Sequence, residues 1–322
     1  MNLSVAVSEL RGYNRGKLSQ VVFFVKKLFF VMNPCAGMKK ANKLLPEMFS
    51  VFNRAGCDVI VHITEARGDA EEVVTQRAAE MDLVVCSGGD GTFNETVSGI
   101  LRSGTDVPIG YIPAGSTNDF AGSLALQSDP VEAAREIVEG EPQPFDLGRF
   151  NDRYFSYVAS FGAFSRASYA TPQSMKNALG HMAYLLSGIQ ELSQIRAVNV
   201  KAEVDGQIAE GAYIFGAICN CTSMGGVISL DPELVDLRDG KFEIFLIRAP
   251  KDLAELGECI LALQQQQYKC KMMTFLSGSH IRIEMEEPVS WSLDGERAEG
   301  GCVIEAENLH HAYKLIKRVK EQ

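Results

Sequence analysis

The sequence predicts an α/β chain of two domains. A parallel sheet with helices on both faces is followed by a β-rich, antiparallel, sandwich-like half. Three observations carry that prediction. Short runs that are apolar throughout alternate with helical patterns up to about residue 143, as strands buried on both faces do. From about Phe145 apolar and polar residues alternate instead, the period of strands with one wet face. Four glycine-rich or polar segments also fall at the carboxyl ends of the first domain's strands, the edge where open α/β sheets take their ligands.

The first predicted strand, 28–32, is wholly apolar and ends in Asn33, Pro34, Cys35, Ala36 and Gly37. A helix follows, with Leu45, Met48, Phe49 and Phe52 at i, i+3, i+4 and i+7 and Gly56 as its C-cap. Residues 57–63 form the second strand, ending at Thr64, and 68–81 the next helix. The third strand, 82–86, runs into Ser87, Gly88, Gly89, Asp90, Gly91 and Thr92, with a helix expected from near Phe93 to Arg102. A strand at 107–112 precedes the loop 113–119, and Asp129 and Pro130 open another helix as N-cap and N1 proline. In the second half, strands are expected at 154–161, 198–204, 212–218, 242–247 and 280–285, with a hairpin turn at 204–207. Helices are expected at 175–192 and 252–267. The chain end, 305–322, is expected to rejoin 26–143 in the first domain, leaving 144–304 as the second. Residues 1–25 are set aside as an extension. The apolar run 21–31 is broken by Lys26 and Lys27, too short and too charged to span a bilayer, and no small-residue cleavage site follows it.

With 322 residues, 46% hydrophobic and 22% charged, the chain can bury two ordinary cores. Its net charge of −10 opposes general attraction to nucleic acid or to anionic membranes. Basic clusters at Lys39, Lys40 and Lys43, and at Lys314, Lys317, Arg318 and Lys320, read as solvated helix faces. Eight cysteines lie scattered without zinc-ligand spacing and read as reduced thiols of a cytoplasmic protein, Cys35 being a small loop residue. His310 and His311 are expected to point in different directions, as neighbours on a helix or strand do, and so to serve packing or surface. Trp291 is expected in the core, while Phe161, Phe164 and Met224 are candidates to face an acyl chain.

The segment 82–95, DLVVCSGGDGTFNE, joins a buried strand, a glycine turn and a helix start. A helix leaves its first N–H groups unpaired, its macrodipole favours negative charge there, and glycines let the backbone approach closely. Together they make a phosphate-holding device. Asp90 would repel phosphate unless a divalent cation, or a network organised by one, lies between.

GGDGT followed by Asn94 and Glu95 resembles the diacylglycerol kinase catalytic-domain family, which includes soluble bacterial diacylglycerol kinases and the sphingosine and ceramide kinases. NAD kinases and phosphofructokinases share a related turn. The resemblance runs from about Lys26 onward and implies a nucleotide-binding set. That set is Asn33, Pro34, Cys35, Ala36 (where a serine is usual), Gly37, Thr64, Gly88, Gly89, Asp90, Gly91, Thr92, Phe93, Asn94, Glu95 and Ser116. Ser116 lies in a PxGTxNDF-like loop and keeps the hydroxyl of the usual threonine. Asp236, Asp239 and the carbonyl of Lys241 match the family's magnesium-binding segment. Leu293, Asp294, Gly295 and Glu296 match its late LDGE motif, with Glu296 at the general-base position, so Glu296 and Asp90 are the expected catalytic residues.

The expected activity is an ATP- and Mg²⁺-dependent lipid kinase, with diacylglycerol to phosphatidic acid as the first candidate reaction. Phosphatidylglycerol, a sphingoid base or NAD is the alternative acceptor. A nucleotide-binding regulator without activity is a further alternative, against which Asp90, Asn94, Asp119 and Glu296 weigh. The protein is expected to visit the inner face of the membrane as a peripheral partner of its lipid, with no nucleic-acid partner and a homodimer left open.

Overall fold

The structure is a computed structural model and describes residues 25–37, 40–116, 118–162, 197–224, 228–265, 267–268 and 270–318. The extension 1–24, the helix expected at 175–192 and Phe164 lie outside these described residues, and nothing is described of Met224's side chain.

Four strands form the first domain's sheet: β1 (Lys26–Met32), β2 (Cys57–Ile63), β3 (Leu83–Gly88) and β4 (Ile109–Pro113). They lie in the order β2-β1-β3-β4, every pairing parallel. Every residue of β3 and β4 is buried, which is why neither run alternates in the sequence. Side chains still alternate between the two faces. Phe29, Val31, Val84 and Cys86 meet Ala70 and Val74 of α3 (Asp69–Arg77) and Phe93, Val97 and Ile100 of α4 (Asp90–Ser103). Leu28, Phe30, Leu83 and Val85 meet Met48 and Phe52 of α2 (Leu45–Arg54), which follows the short α1 (Lys40–Lys43). That second face also receives Ala133, Ala134 and Ile137 of α6 (Pro130–Glu139), after the single turn α5 (Asp119–Ser123). Asp129 caps α6 by accepting from the N–H groups of Val131 and Glu132.

The final strand, Val303–Lys317, joins the halves. Its start pairs with His280–Met285, its end pairs parallel with β4 at Leu315, and much of its length lies antiparallel to Glu141–Phe150. The path of strands therefore continues from one half into the other without a break. In the second half, Gln207–Cys219 is central, flanked by Val198–Val204, Phe242–Arg248 and Val158–Gly162. Asp205 (φ 46°) and Gly206 (φ 83°) make the hairpin turn expected at 204–207. Trp291 is fully buried between Phe150 and Phe161, each with ring centroids 4.9 Å away, so Phe161 is core and not a lining for an acyl chain.

Four expectations need correction. Lys314, Lys317 and Arg318 do not lie on a helix face: Lys314 and Lys317 belong to the end of the final strand and Arg318 follows it, and they bond Asp106, the Leu124 carbonyl and Glu139 respectively. The strand expected at 154–161 is two, Arg153–Phe155 and Val158–Gly162, because the backbone at Ser156 and Tyr157 turns to bond Asp294 instead of a neighbouring strand. The helix expected from near Phe93 begins at Asp90, so Asp90, Gly91 and Thr92 are its first turn. Their low helix propensity hid this, since a first turn is built by what it faces and not by propensity. His310 and His311 do not diverge: His311 has φ 53° within a bulge, and the two rings stack at 3.7 Å.

Candidate functional site

The carboxyl ends of the four parallel strands meet in one place. After β1, the Asn33 N–H donates to the Ser87 carbonyl (2.9 Å), and its Nδ2 donates to Thr92 Oγ1 (3.1 Å). The Asn33 Oδ1 accepts from the Cys35 N–H (2.9 Å), which closes a turn through Pro34. After β2, the Thr64 N–H donates to Met32 (2.8 Å), so Thr64 stands beside the first loop. After β4, the Ala114 N–H donates to Gly88 (2.7 Å).

Two glycines are required by close approach. A Cβ on Gly37 (φ +52°) would lie 2.2 Å from the Ala114 carbonyl oxygen, and one on Gly115 would lie 2.7 Å from Gly89 Cα. The loop bearing Ser116, which is exposed, is clamped by Asn118, whose side chain accepts from Gly115 N–H (2.8 Å) and donates to its carbonyl (3.0 Å). The segments 33–37, 88–95, 113–116 and 118–119 thus meet at the first turn of α4, with Thr64 beside the first of them. That turn's leading N–H groups, from Asp90, Gly91 and Thr92, have no partner further back in the helix.

Not every residue of 88–95 faces outward. The Phe93 ring is fully buried against Tyr111 (4.5 Å), Phe120 (5.3 Å) and Tyr313 (6.0 Å), so its side chain belongs to the core. Glu95 accepts from the N–H of Gly68 (2.8 Å) and favours the positive end of α3; burial raises its affinity for a proton. Asn94 crosses to the second half, donating to Asp294 (2.7 Å), and to Ser156 Oγ (3.2 Å).

Asp90 accepts from the Asp119 N–H (3.0 Å) and lies 3.4 Å from the Tyr111 hydroxyl that donates to it. Burial, then the charges of Asp119 and Asp294, push its carboxyl up to about 7.

Asp294 is the junction between the halves. With Gly295 it forms the two-residue turn between Ser290–Leu293 and Glu296–Glu299, φ 50° and 84°. Its buried carboxylate accepts from the N–H groups of Ser156, Tyr157 (3.0 Å) and Val158 (3.0 Å) as well as from Asn94. Burial pushes it up to about 6 against the pull of those donors. One residue past the turn, Glu296 Oε1 lies 3.6 Å from where a Cβ on Gly91 would stand. The acid of the second half therefore faces the first turn of α4. Arg67, from the loop before α3, forms an ion pair with Glu296, and Arg153 lies 3.7 Å from it.

Asp236, Asp239 and Lys241 lie together in an exposed loop elsewhere on the molecule's second half. Asp236 accepts from the Arg238 N–H (3.1 Å), Asp239 from the Lys241 N–H (2.9 Å), and the Lys241 carbonyl from Asn308 Nδ2 (3.0 Å). Beside them the buried Glu243 carries an Oε2 with no hydrogen-bond partner among the described residues. Burial, with Asp239 and Asp236 adding to it, pushes Glu243 up to about 8. An oxygen-rich, negatively strained loop of this kind fits a hard cation.

Sequence reasoning missed the roles of Asp294, Arg67 and Tyr111. An Asp-Gly pair reads as a turn and nothing more, and Arg67 is 229 residues from its partner, a separation at which spacing carries no signal.

The family described as the diacylglycerol kinase catalytic domain matches residues 27–150, and the YegS C-terminal NAD kinase beta sandwich-like domain matches 158–311. A diacylglycerol kinase of Bacillus subtilis (strain 168) is 30% identical over 274 residues, 84% of this chain and 90% of that protein. One of Staphylococcus epidermidis (strain ATCC 12228 / FDA PCI 1200) is 33% identical over 273 residues, 84% and 86%. The fold is similar to a crystal structure of a diacylglycerol kinase from Bacillus anthracis str. Sterne, with TM-score 0.70, 22% identity and coverage of 91% of this chain and 97% of that one.

Proposed function

The chain belongs to the diacylglycerol kinase catalytic-domain family, and from that premise we propose that it transfers the γ-phosphoryl group of ATP to a hydroxyl of a membrane lipid, diacylglycerol first. The observation that supports this best is the meeting of Glu296 with the first turn of α4, one acid and one phosphate-holding helix end from opposite halves of the chain.

The N–H groups of Asp90, Gly91 and Thr92 and the positive end of α4 hold the phosphate oxygens. Asn33, Gly37 and the Ala114–Ser116 backbone form the remaining walls of the nucleotide site. Glu296 accepts the proton of the lipid hydroxyl as its oxygen bonds to the γ-phosphorus. The bond from that phosphorus to the bridging oxygen breaks, ADP departs, and the proton remains on Glu296. Arg67 and Arg153 aim the carboxylate. Mg²⁺, when bound, neutralises charge on the transferring group. Asp90 and Asp119 would hold it, because positive charge there would offset the burial, and then the repulsion from Asp119, that raise Asp90. Asp236, Asp239 and the Lys241 carbonyl would hold a further ion. No described helix is long and apolar enough to cross a membrane, and the proposed encounter with the lipid is at the inner surface of the bilayer.

The test is incubation with γ-labelled ATP, Mg²⁺ and separate acceptors: diacylglycerol, phosphatidylglycerol, a sphingoid base and NAD. Label in diacylglycerol is the expected result. Label in NAD alone would overturn the lipid reading, and no transfer to any acceptor would favour a nucleotide-binding regulator.

A further inference from the structure

Away from the phosphate edge, the strand Val303–Lys317 changes register between Leu309 and Tyr313, where it leaves one half of the sheet for the other. His311 sits in that bulge at φ 53°, a left-handed conformation seldom adopted by a residue with a side chain. The turn defeats the usual alternation. It lays the His310 and His311 rings against each other, 27° from parallel.

Asp146 lies at the base of this pair, its side chain wholly shielded from solvent. Oδ1 pairs with His310 Nδ1 (3.0 Å) and accepts from the His311 N–H (2.9 Å); Oδ2 accepts from the Gly240 N–H (2.7 Å). A carboxylate has about four acceptor positions, so a lone pair remains. One ligand atom from each of the three residues lies within 4.8 Å of the others. Both rings are exposed, which leaves an approach from solvent. Strained backbone that persists is a pointer to function, and here the strain is what makes the two imidazoles neighbours. Two imidazoles and a carboxylate are donors for borderline first-row ions, whereas Mg²⁺ and Ca²⁺ take oxygen.

We propose that Asp146, His310 and His311 bind one divalent transition-metal ion of the zinc class, with water completing its shell. The ion takes the place of the hydrogen now shared by His310 Nδ1 and Asp146 Oδ1. Asp146 belongs to Glu141–Phe150 and the histidines to Val303–Lys317, the two long paired strands at the junction of the halves. A bound ion cross-links them. Through Gly240 it also touches the loop of Asp236 and Asp239.

Cobalt(II) is the probe, titrated into the full chain with Mg²⁺ in large excess and followed by its visible absorption. One equivalent is expected to bind without a thiolate charge-transfer band. The double variant His310→Ala with His311→Ala is expected to weaken binding roughly 100-fold or more, while Cys35→Ser with Cys302→Ser, the two exposed thiols, is expected to leave it unchanged. Zinc should raise the melting temperature of the parent protein but not of the histidine variant, and both proteins should melt alike in chelator. Absence of saturable binding, equal binding by the histidine variant, or a thiolate band lost with the cysteines would each overturn the proposal.

Discussion

Replacing Asp294 with Asn keeps the shape of the side chain and removes its charge, which isolates what the carboxylate does at the junction. One oxygen of Asp294 serves Tyr157 and Val158, the other serves Ser156 and Asn94. An amide keeps one of these oxygens and turns an NH₂ group toward the other two donors. Two buried donors then lose their acceptor, at about 1–3 kcal/mol each, so the variant should lose about 2–6 kcal/mol. For a domain of this size about 1 kcal/mol moves the melting temperature by roughly 2–4 °C, which makes a fall near 10 °C the central expectation. Trp291, the chain's one tryptophan, is buried in the second half and reports its unfolding by fluorescence in a denaturant titration. Glu296 follows the same turn, so its displacement should also lower kcat, on the order of 100-fold for a shift of about 1 Å. A double-mutant cycle with Asn94→Ala should return a coupling of at least about 0.5 kcal/mol. Stability unchanged within about 0.5 kcal/mol, together with ordinary turnover, would refute the junction.

Asp90→Asn should separate stability from function. The Asp90 carboxyl is raised to about 7 in the fold, above its unfolded value near 4. Its stabilising contribution is therefore full below about pH 4 and is lost as pH rises through about 7. In chelator, the denaturation midpoint of the parent protein should fall across that range, by up to a few kcal/mol of stability, and that of Asp90→Asn should fall less while its turnover collapses; parallel pH profiles would contradict the assignment. Arg67→Ala should leave the melting temperature within a few degrees, since exposed ion pairs contribute about 0–1 kcal/mol, yet lower kcat about tenfold by freeing Glu296. An unchanged kcat would remove Arg67 as the positioning group.

The apolar strands of the first sheet and their parallel arrangement were legible because β1, β3 and β4 are buried on both faces, and burial writes itself into composition. Elements that depend on distant partners were less so. Nothing near Ser156 announces that its N–H belongs to Asp294, so one strand was expected where there are two. Glycine and aspartate at 88–91 signal a turn locally, and only the contacts with Asn33 and Asp119 make Asp90 to Thr92 a helix start. The stacking of His310 on His311 escaped the alternation rule because a single residue at positive φ reverses it. The segments that meet at the first turn of α4 were legible from their common address at the strand ends, whereas the roles of Phe93 and Glu95 within them depend on partners distant in sequence.

The proposed activity requires Glu296 to accept a proton opposite the first turn of α4. Rapid-quench measurement of a single turnover in Glu296→Gln, with ATP affinity measured on the same sample, addresses it most directly. The expected result is a phosphoryl-transfer step slowed by roughly 100-fold or more with ATP affinity within about twofold of the parent protein. Transfer at the parent rate would contradict it.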